Sequence, residues 1–245
     1  MKLNCDLGEF KNNNDADIMP LIDMANIACG FHGSDALTIK KTIKLAQQHQ
    51  VVIGAHPSYP DVENFGRQSM QLASDELIAI LQYQIGALQA LCVLENTQLD
   101  YVKPHGALYN DMMKNLHLFD DVCLAIAQLN QRNNKALSLM IQALTDNDKF
   151  VQIAKKHHIT LYYEAFADRA YLDNGLLMPR SETGAILSSN QAVVNRCQAL
   201  LNKQPLLSVN QQPLKFHIDA LCVHGDTPNA LAMIKALRQT INAQR

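Results

Sequence analysis

The sequence is as informative for what it lacks as for what it holds. Lys and Arg number 21 against 23 Asp and Glu, a formal net charge of -2, so no global basic field exists to hold a phosphate backbone and no nucleic-acid partner is expected. No apolar run approaches membrane-spanning length. The N-terminal MKLNCDLGEFKNNNDAD turns polar and acidic where a secretory signal needs its apolar stretch, so no membrane partner and a cytoplasmic address are expected. Neither GxxxxGK[ST] nor GxGxxG occurs, which removes a Walker phosphate loop and a dinucleotide fingerprint. The six cysteines (Cys5, Cys29, Cys92, Cys123, Cys197, Cys222) include no CxxC pair, and three of them fall in apolar runs; they read as reduced core thiols.

What is present is a chain that folds: 245 residues, 48% hydrophobic and 18% charged. Without a Ser/Gly/Pro-rich linker or an internal repeat, it reads as one domain over residues 1–245. Short β-type runs alternate with helical stretches from end to end, the pattern of a parallel α/β sheet with crossover helices. Seven such runs are Leu3 to Leu7, Asn26 to Phe31, Val51 to Ala55, Tyr101 to Lys103, Ser138 to Gln142, Thr160 to Phe166 and Ala220 to Val223. Helices are predicted over residues 34–48, 74–94, 118–129, 148–157, 191–201 and 228–242, the second capped by Ser74 with Asp75 and Glu76 in its first turn. The segment from Asp173 to Ser189 is the one long irregular connection, and such connections are often functional.

Run after run ends in ionisable residues. Asp6 and Glu9 follow the first, His32 the second, His56 the third, Lys103 and His105 the fourth, Asp168 and Arg169 the sixth, His224 and Asp226 the seventh. In a barrel or an open parallel sheet, chemistry collects outside the carboxyl ends of the strands. A lone histidine at a strand end is more often structural; the convergence of many on one rim is the functional signal. Alternation places His56 on one face with Gly54 and Val52, His32 with Gly30 and Ala28, and His224 with Cys222 and Ala220, so small residues underlie the histidines and leave room for a small ligand. Pro104 marks where the fourth run leaves the sheet. Lys103 then holds a carboxylate or an oxyanion, or pairs structurally with Asp6 or Asp168. His49, His117, His157 and His158 read as surface residues, and His217 enters the last run from the far end.

Six ordered blocks between residues 4 and 228, NCDLGE, NIACGFHGSD, GAHPSYPD with FGR, VKPHGALYN, EAFADRAY and CVHGDTP, resemble the LamB/YcsF family. The resemblance implies a seven-stranded parallel (β/α) barrel of the glycoside hydrolase/deacetylase type. It also implies opening of 5-oxo-L-proline to L-glutamate with ATP-Mg²⁺ cleaved to ADP and phosphate, in an assembly with partner subunits B and C. For that reaction Asp6, Glu9, Lys103, His105 and Asp168 are the candidate catalytic residues; His32, His56, Arg169, His224 and Asp226 are the candidate substrate contacts. Arg67, Arg169 and Arg180 are where a nucleotide site would be sought. Related deacetylases bind a metal through an early aspartate and a His-x-x-x-His pair, but Ala36 stands four residues after His32, so no metal of that kind is expected; were one bound, Asp6, His32 and His56 would hold it. A self-sufficient metal-dependent amidohydrolase or deacetylase and a non-catalytic subunit that carries the substrate are the competing readings.

Overall fold

A computed structural model describes residues 1–10, 14–133, 135–187, 189–225 and 229–244. In chain order the elements are β1 (Lys2–Leu7), α1 (Asp15–Ile18) with a 3₁₀ turn at Met19–Leu21, β2 (Met24–Ala28), α2 (Ala36–Gln48), β3 (Val52–His56), α3 (Ser74–Leu94), β4 (Leu99–Val102), α4 (Gly106–Met112) and α5 (Leu116–Asn130). There follow β5 (Ser138–Gln142), α6 (Asp148–Lys156), β6 (Leu161–Phe166), α7 (Asn190–Leu201), β7 (Leu206–Leu207), β8 (Pro213–Leu214), β9 (Ala220–Val223) and α8 (Ala230–Asn242). Strands β1 to β6 and β9 pair in parallel and close into the expected seven-stranded barrel, while β7 and β8 form a small antiparallel ladder outside it.

Two strands depart from the sequence reading. β2 stops at Ala28 because Gly30, at φ 96°, turns the chain out of the extended region, so His32 lies in the loop and strand alternation does not place it. Between β3 and β4, Ile53 pairs with Leu99 but Gly54 pairs with Tyr101, a bulge that sets the Tyr101 ring against Gly54. A Cβ on Gly54 would sit 2.2 Å from that ring, so the small residue beneath His56 creates no empty layer; Tyr101 fills it. Met24, Tyr101, Met140 and Ala220 form the barrel's lower plug, separate from the main core between strands and helices. Above them the interior becomes polar, with Asn4, Asn26, Glu164 and Lys103 all buried.

The helices cover the barrel through their apolar faces. In α2 the Asp35 carboxylate accepts the amide N–H of Thr38 at 2.7 Å, and Ile39, Ile43 and Ala46 face inward. In α3 the cap position falls to Ala73; the Ser74 hydroxyl instead donates to Asp121 at 2.8 Å and ties α3 to α5. With 21 residues α3 is long and apolar enough to span a membrane, an exception to the expectation of no such run, yet Leu77, Leu81, Ile85 and Leu88 are buried against the barrel. His157 is half-buried, its ring 2.8 Å from Asp120. All six cysteines are free and buried, and burial alone pushes Cys92 up to about 12.

Candidate active site

Lys103 leaves β4 on the inward face, and its side chain runs into the polar middle of the barrel. Its ammonium donates to Asp6 at 3.0 Å, lies 3.2 Å from Glu164, and meets Asn4 Oδ1 at 3.4 Å and Cys222 Sγ at 3.1 Å. The partners are therefore Asp6 and Glu164, not Asp168. Burial by itself would lower the pKa of Lys103, but the charges of Asp6, Cys222 and Glu164 outweigh it and raise it well above the ordinary lysine value. Asp6 shows the converse: burial pushes its carboxyl up, and Lys103 and His56 together hold it well below the usual carboxylate range. Asn26 adds a second donor to the same Asp6 oxygen at 2.7 Å.

His56 and His105 meet above this layer. His56 Nδ1–H donates to the Lys103 carbonyl at 2.6 Å, and His105 Nε2–H donates to the Phe65 carbonyl at 2.9 Å. The remaining nitrogens, His56 Nε2 and His105 Nδ1, face one another at 2.9 Å. The 65–67 loop fixes this arrangement through Gly66, which stands at φ 65° and whose missing Cβ would fall 2.8 Å from both His105 and His32. His32 stacks on His105 with ring centres 3.7 Å apart and an interplanar angle of 6°. Its Nε2 contacts Glu9 at 3.0 Å, and its Nδ1 has no hydrogen-bond partner among the described residues. Burial lowers the His105 pKa well below the ordinary value, and His32 and His56 depress it further.

On the opposite wall, His224 Nδ1 lies 3.0 Å from Asp168, whose carboxylate is fully buried, and its ring stacks on Phe166. With Nδ1–H given to Asp168, Nε2 is the ring's acceptor. Asp6, His56, Lys103, His105 and His224 line one cavity of about 410 Å³. His32, Glu9 and Asp168 do not line it; each supports a neighbour instead.

Arg67, Lys114, Arg169 and Arg180 gather at this cavity, together with residues 176–181 of the long irregular connection. Arg169 is less available than a bidentate anion fork requires, since Nε donates to the Ala185 carbonyl at 3.3 Å and Nη2 to that of Met178 at 2.5 Å. Burial, with Arg180 nearby, lowers its pKa to about 10. Asp226 lies outside the described residues.

Donor groups that could hold an ion come together as Asp6, His56 and His105, as Glu9, His32 and His105, and as Asp6, Cys222 and His224. The expected set of Asp6, His32 and His56 is not among them, because His32 turns to Glu9. Sequence reasoning missed Glu164, Asn4, Asn26, Cys222 and Lys114. Alternation along β6 carries a signal for the first, since an acid two residues before Phe166 on the inward face has to find a buried cation. Lys114 had none, because the short α4 before it was not foreseen.

The model of the LamB/YcsF family matches residues 1–245. A protein of Vibrio cholerae serotype O1, named as the A subunit of 5-oxoprolinase, is 46% identical over 99% of this chain and 98% of its own length. A protein of Pseudomonas aeruginosa, also named as an A subunit of 5-oxoprolinase, is 42% identical over 98% of this chain and 96% of its own. Among solved structures, the lactam utilization protein of Thermus thermophilus superimposes with a TM-score of 0.88 at 33% identity, over 99% of this chain and 96% of the other. The motifs at the strand ends, the closed barrel and these matches agree: the chain belongs to the LamB/YcsF family.

Proposed function

We propose that this chain is the A subunit of an ATP-dependent 5-oxoprolinase and that its barrel opens the lactam ring of 5-oxo-L-proline to L-glutamate. The relatives' names support the substrate. The observation that carries the chemistry is the His224–Asp168 pair on the wall of a cavity that also gathers five cationic side chains, Lys103 among them. A five-membered lactam is an unstrained amide whose equilibrium favours the ring, so opening has to be coupled to ATP-Mg²⁺. Phosphate transfer to the lactam oxygen makes the ring carbon electrophilic and releases ADP. His224 Nε2 takes a proton from water as its oxygen bonds to that carbon, and returns it to the ring nitrogen as the carbon–nitrogen bond breaks. The resulting acyl phosphate is hydrolysed to glutamate and phosphate.

In this reading Arg67, Lys114 and Arg180 meet the phosphoryl group and the substrate carboxylate. Lys103 keeps Asp6 ionised beneath the reacting carbon and acts as a positioning residue. The phosphoryl transfer itself is assigned to the assembly with subunits B and C, because this sequence carries no Walker loop. The test is reconstitution. Glutamate release from 5-oxoproline with ATP-Mg²⁺ is measured with B and C, with and without this chain, and with this chain alone. Activity is expected only from the full set. Robust ATP-dependent glutamate formation by the isolated chain, or full activity without it, overturns the reading.

A further inference from the structure

Counting protons between His56 and His105 leaves a gap. Carbonyl oxygens accept and never donate, so the contacts of His56 Nδ1 with the Lys103 carbonyl and of His105 Nε2 with the Phe65 carbonyl fix the only proton that each neutral ring carries. The two inward nitrogens are then both lone pairs, 2.9 Å apart and buried. Such a contact is repulsive unless a cation lies between them. Asp6 Oδ2 lies 3.5 Å from His56 Nε2 and supplies a third donor atom to the same space.

We propose that Asp6, His56 and His105 form a divalent metal site, with Zn²⁺ the ion that two imidazoles and a carboxylate suit best. Donor separations of 2.9 and 3.5 Å bracket the roughly 3.3 Å expected for ligands about 2.0–2.1 Å from a tetrahedral ion. The outward N–H groups, each held by a backbone carbonyl, are what fixes tautomer and ring orientation in metal-bound histidines. Charge points the same way. Asp6 and Glu9 both reach this space, Asp6 Oδ2 at 3.5 Å from His56 Nε2 and Glu9 Oε1 at 3.5 Å from His105 Nδ1, while Lys103 brings one positive charge to Asp6. The competing occupant is a proton shared by the two rings. It is disfavoured because His105 is buried and stacked on the His32 ring, which makes an imidazolium costly there. The ion faces the cavity, where it would polarise a carbonyl or a water.

The test is direct binding to the whole chain after chelator treatment and dialysis. Titration with ZnCl₂ by calorimetry, with metal content read by mass spectrometry, is expected to give one equivalent per chain. Co²⁺ in its place is expected to give visible absorption bands that Zn²⁺ removes. His105→Ala and His56→Ala each lower Zn²⁺ affinity on the order of 10²-fold or more, while His217→Ala, at an exposed position outside the cluster, leaves it unchanged. Should either alanine variant fail to fold by circular dichroism, the Co²⁺ spectrum of the wild type still decides the matter. No saturable uptake by the wild type, or undiminished uptake by folded His105→Ala, overturns the proposal; the first outcome assigns the space to a shared proton and the second places the ion elsewhere.

Discussion

Asp168 accepts the Nδ1–H of His224 at 3.0 Å, and this contact decides which nitrogen of the ring is available to the cavity. A carboxylate can only accept, whereas an amide can also donate. Asp168→Asn therefore allows the other tautomer, with Nε2 protonated and lost as a base. In the reconstituted assembly, kcat should fall roughly 10²–10⁴-fold with KM little changed. His224→Gln should cost about as much, and the double variant no more than either single one. A KM effect without a kcat effect would make the pair a substrate contact instead.

Lys103→Met keeps most of the stem and removes the charge. Because the ammonium sits between buried Asp6 and Glu164, the loss leaves two carboxylates facing each other without a cation. Unfolding in urea should show a destabilisation of about 3–5 kcal/mol, as for other buried pairs broken on one side. Turnover should fall on the order of 10²-fold or more. Adding Glu164→Gln should restore part of the stability and little of the turnover, which separates the structural role of Lys103 from its part in the site.

The rim was legible in the sequence because strand ends are legible: β5 and β9 occupy the residues read for them, and after every run but the fifth an ionisable residue marks the carboxyl end of the strand. Which residues support others was not legible. That Glu9 holds His32 and Asp168 holds His224 depends on loop conformations set by Gly30 and by the 168–187 connection, and no periodicity encodes them. The pairing of Lys103 with Glu164 joins the residue just after β4 to one in β6, which are not adjacent strands, and becomes visible only once the barrel has closed. Tyr101 is a mixed case. Alternation with Lys103 sets it on the inward face, but its pairing with Gly54 follows from a bulge that the sequence gives no means of placing.

Asp61 gives an acid-limb prediction. Its Oδ1 accepts from the amide and side chain of Asn64 at 3.1 and 2.8 Å and its Oδ2 from the amide of Gln68 at 3.1 Å, which holds the loop that presents the Phe65 carbonyl to His105. Burial would raise its pKa, but these donors outweigh burial and lower it below the ordinary carboxylate value. A lowered folded-state pKa means stability that is fully present above the unfolded value, about 3.9, and lost as pH falls through the folded one. Asp61→Asn should thus be less stable than wild type by a constant amount at neutral pH, with the gap closing below about pH 4. A gap that stays constant down to about pH 2 in denaturant titrations would show that the carboxylate charge is not what holds the loop.

Gly54 and Tyr101 make the last test, because they link the barrel's packing to its chemistry. A Cβ at Gly54 would lie 2.2 Å from the Tyr101 ring, far inside contact distance, so Gly54→Ala has to displace that ring. Overpacking of this kind costs about 1–3 kcal/mol. The Tyr101 hydroxyl donates to Asn26 Oδ1, and Asn26 in turn donates to Asp6 at 2.7 Å, so the displaced ring also loosens the carboxylate at the floor of the cavity. Gly54→Ala should therefore lose turnover although position 54 does not line the cavity. Combining it with Tyr101→Leu should relieve the clash and recover much of the stability measured in urea, while turnover stays low because Asn26 has lost its anchor. Recovery of both together would show that packing alone, and not the Tyr101–Asn26–Asp6 chain, sets the position of Asp6.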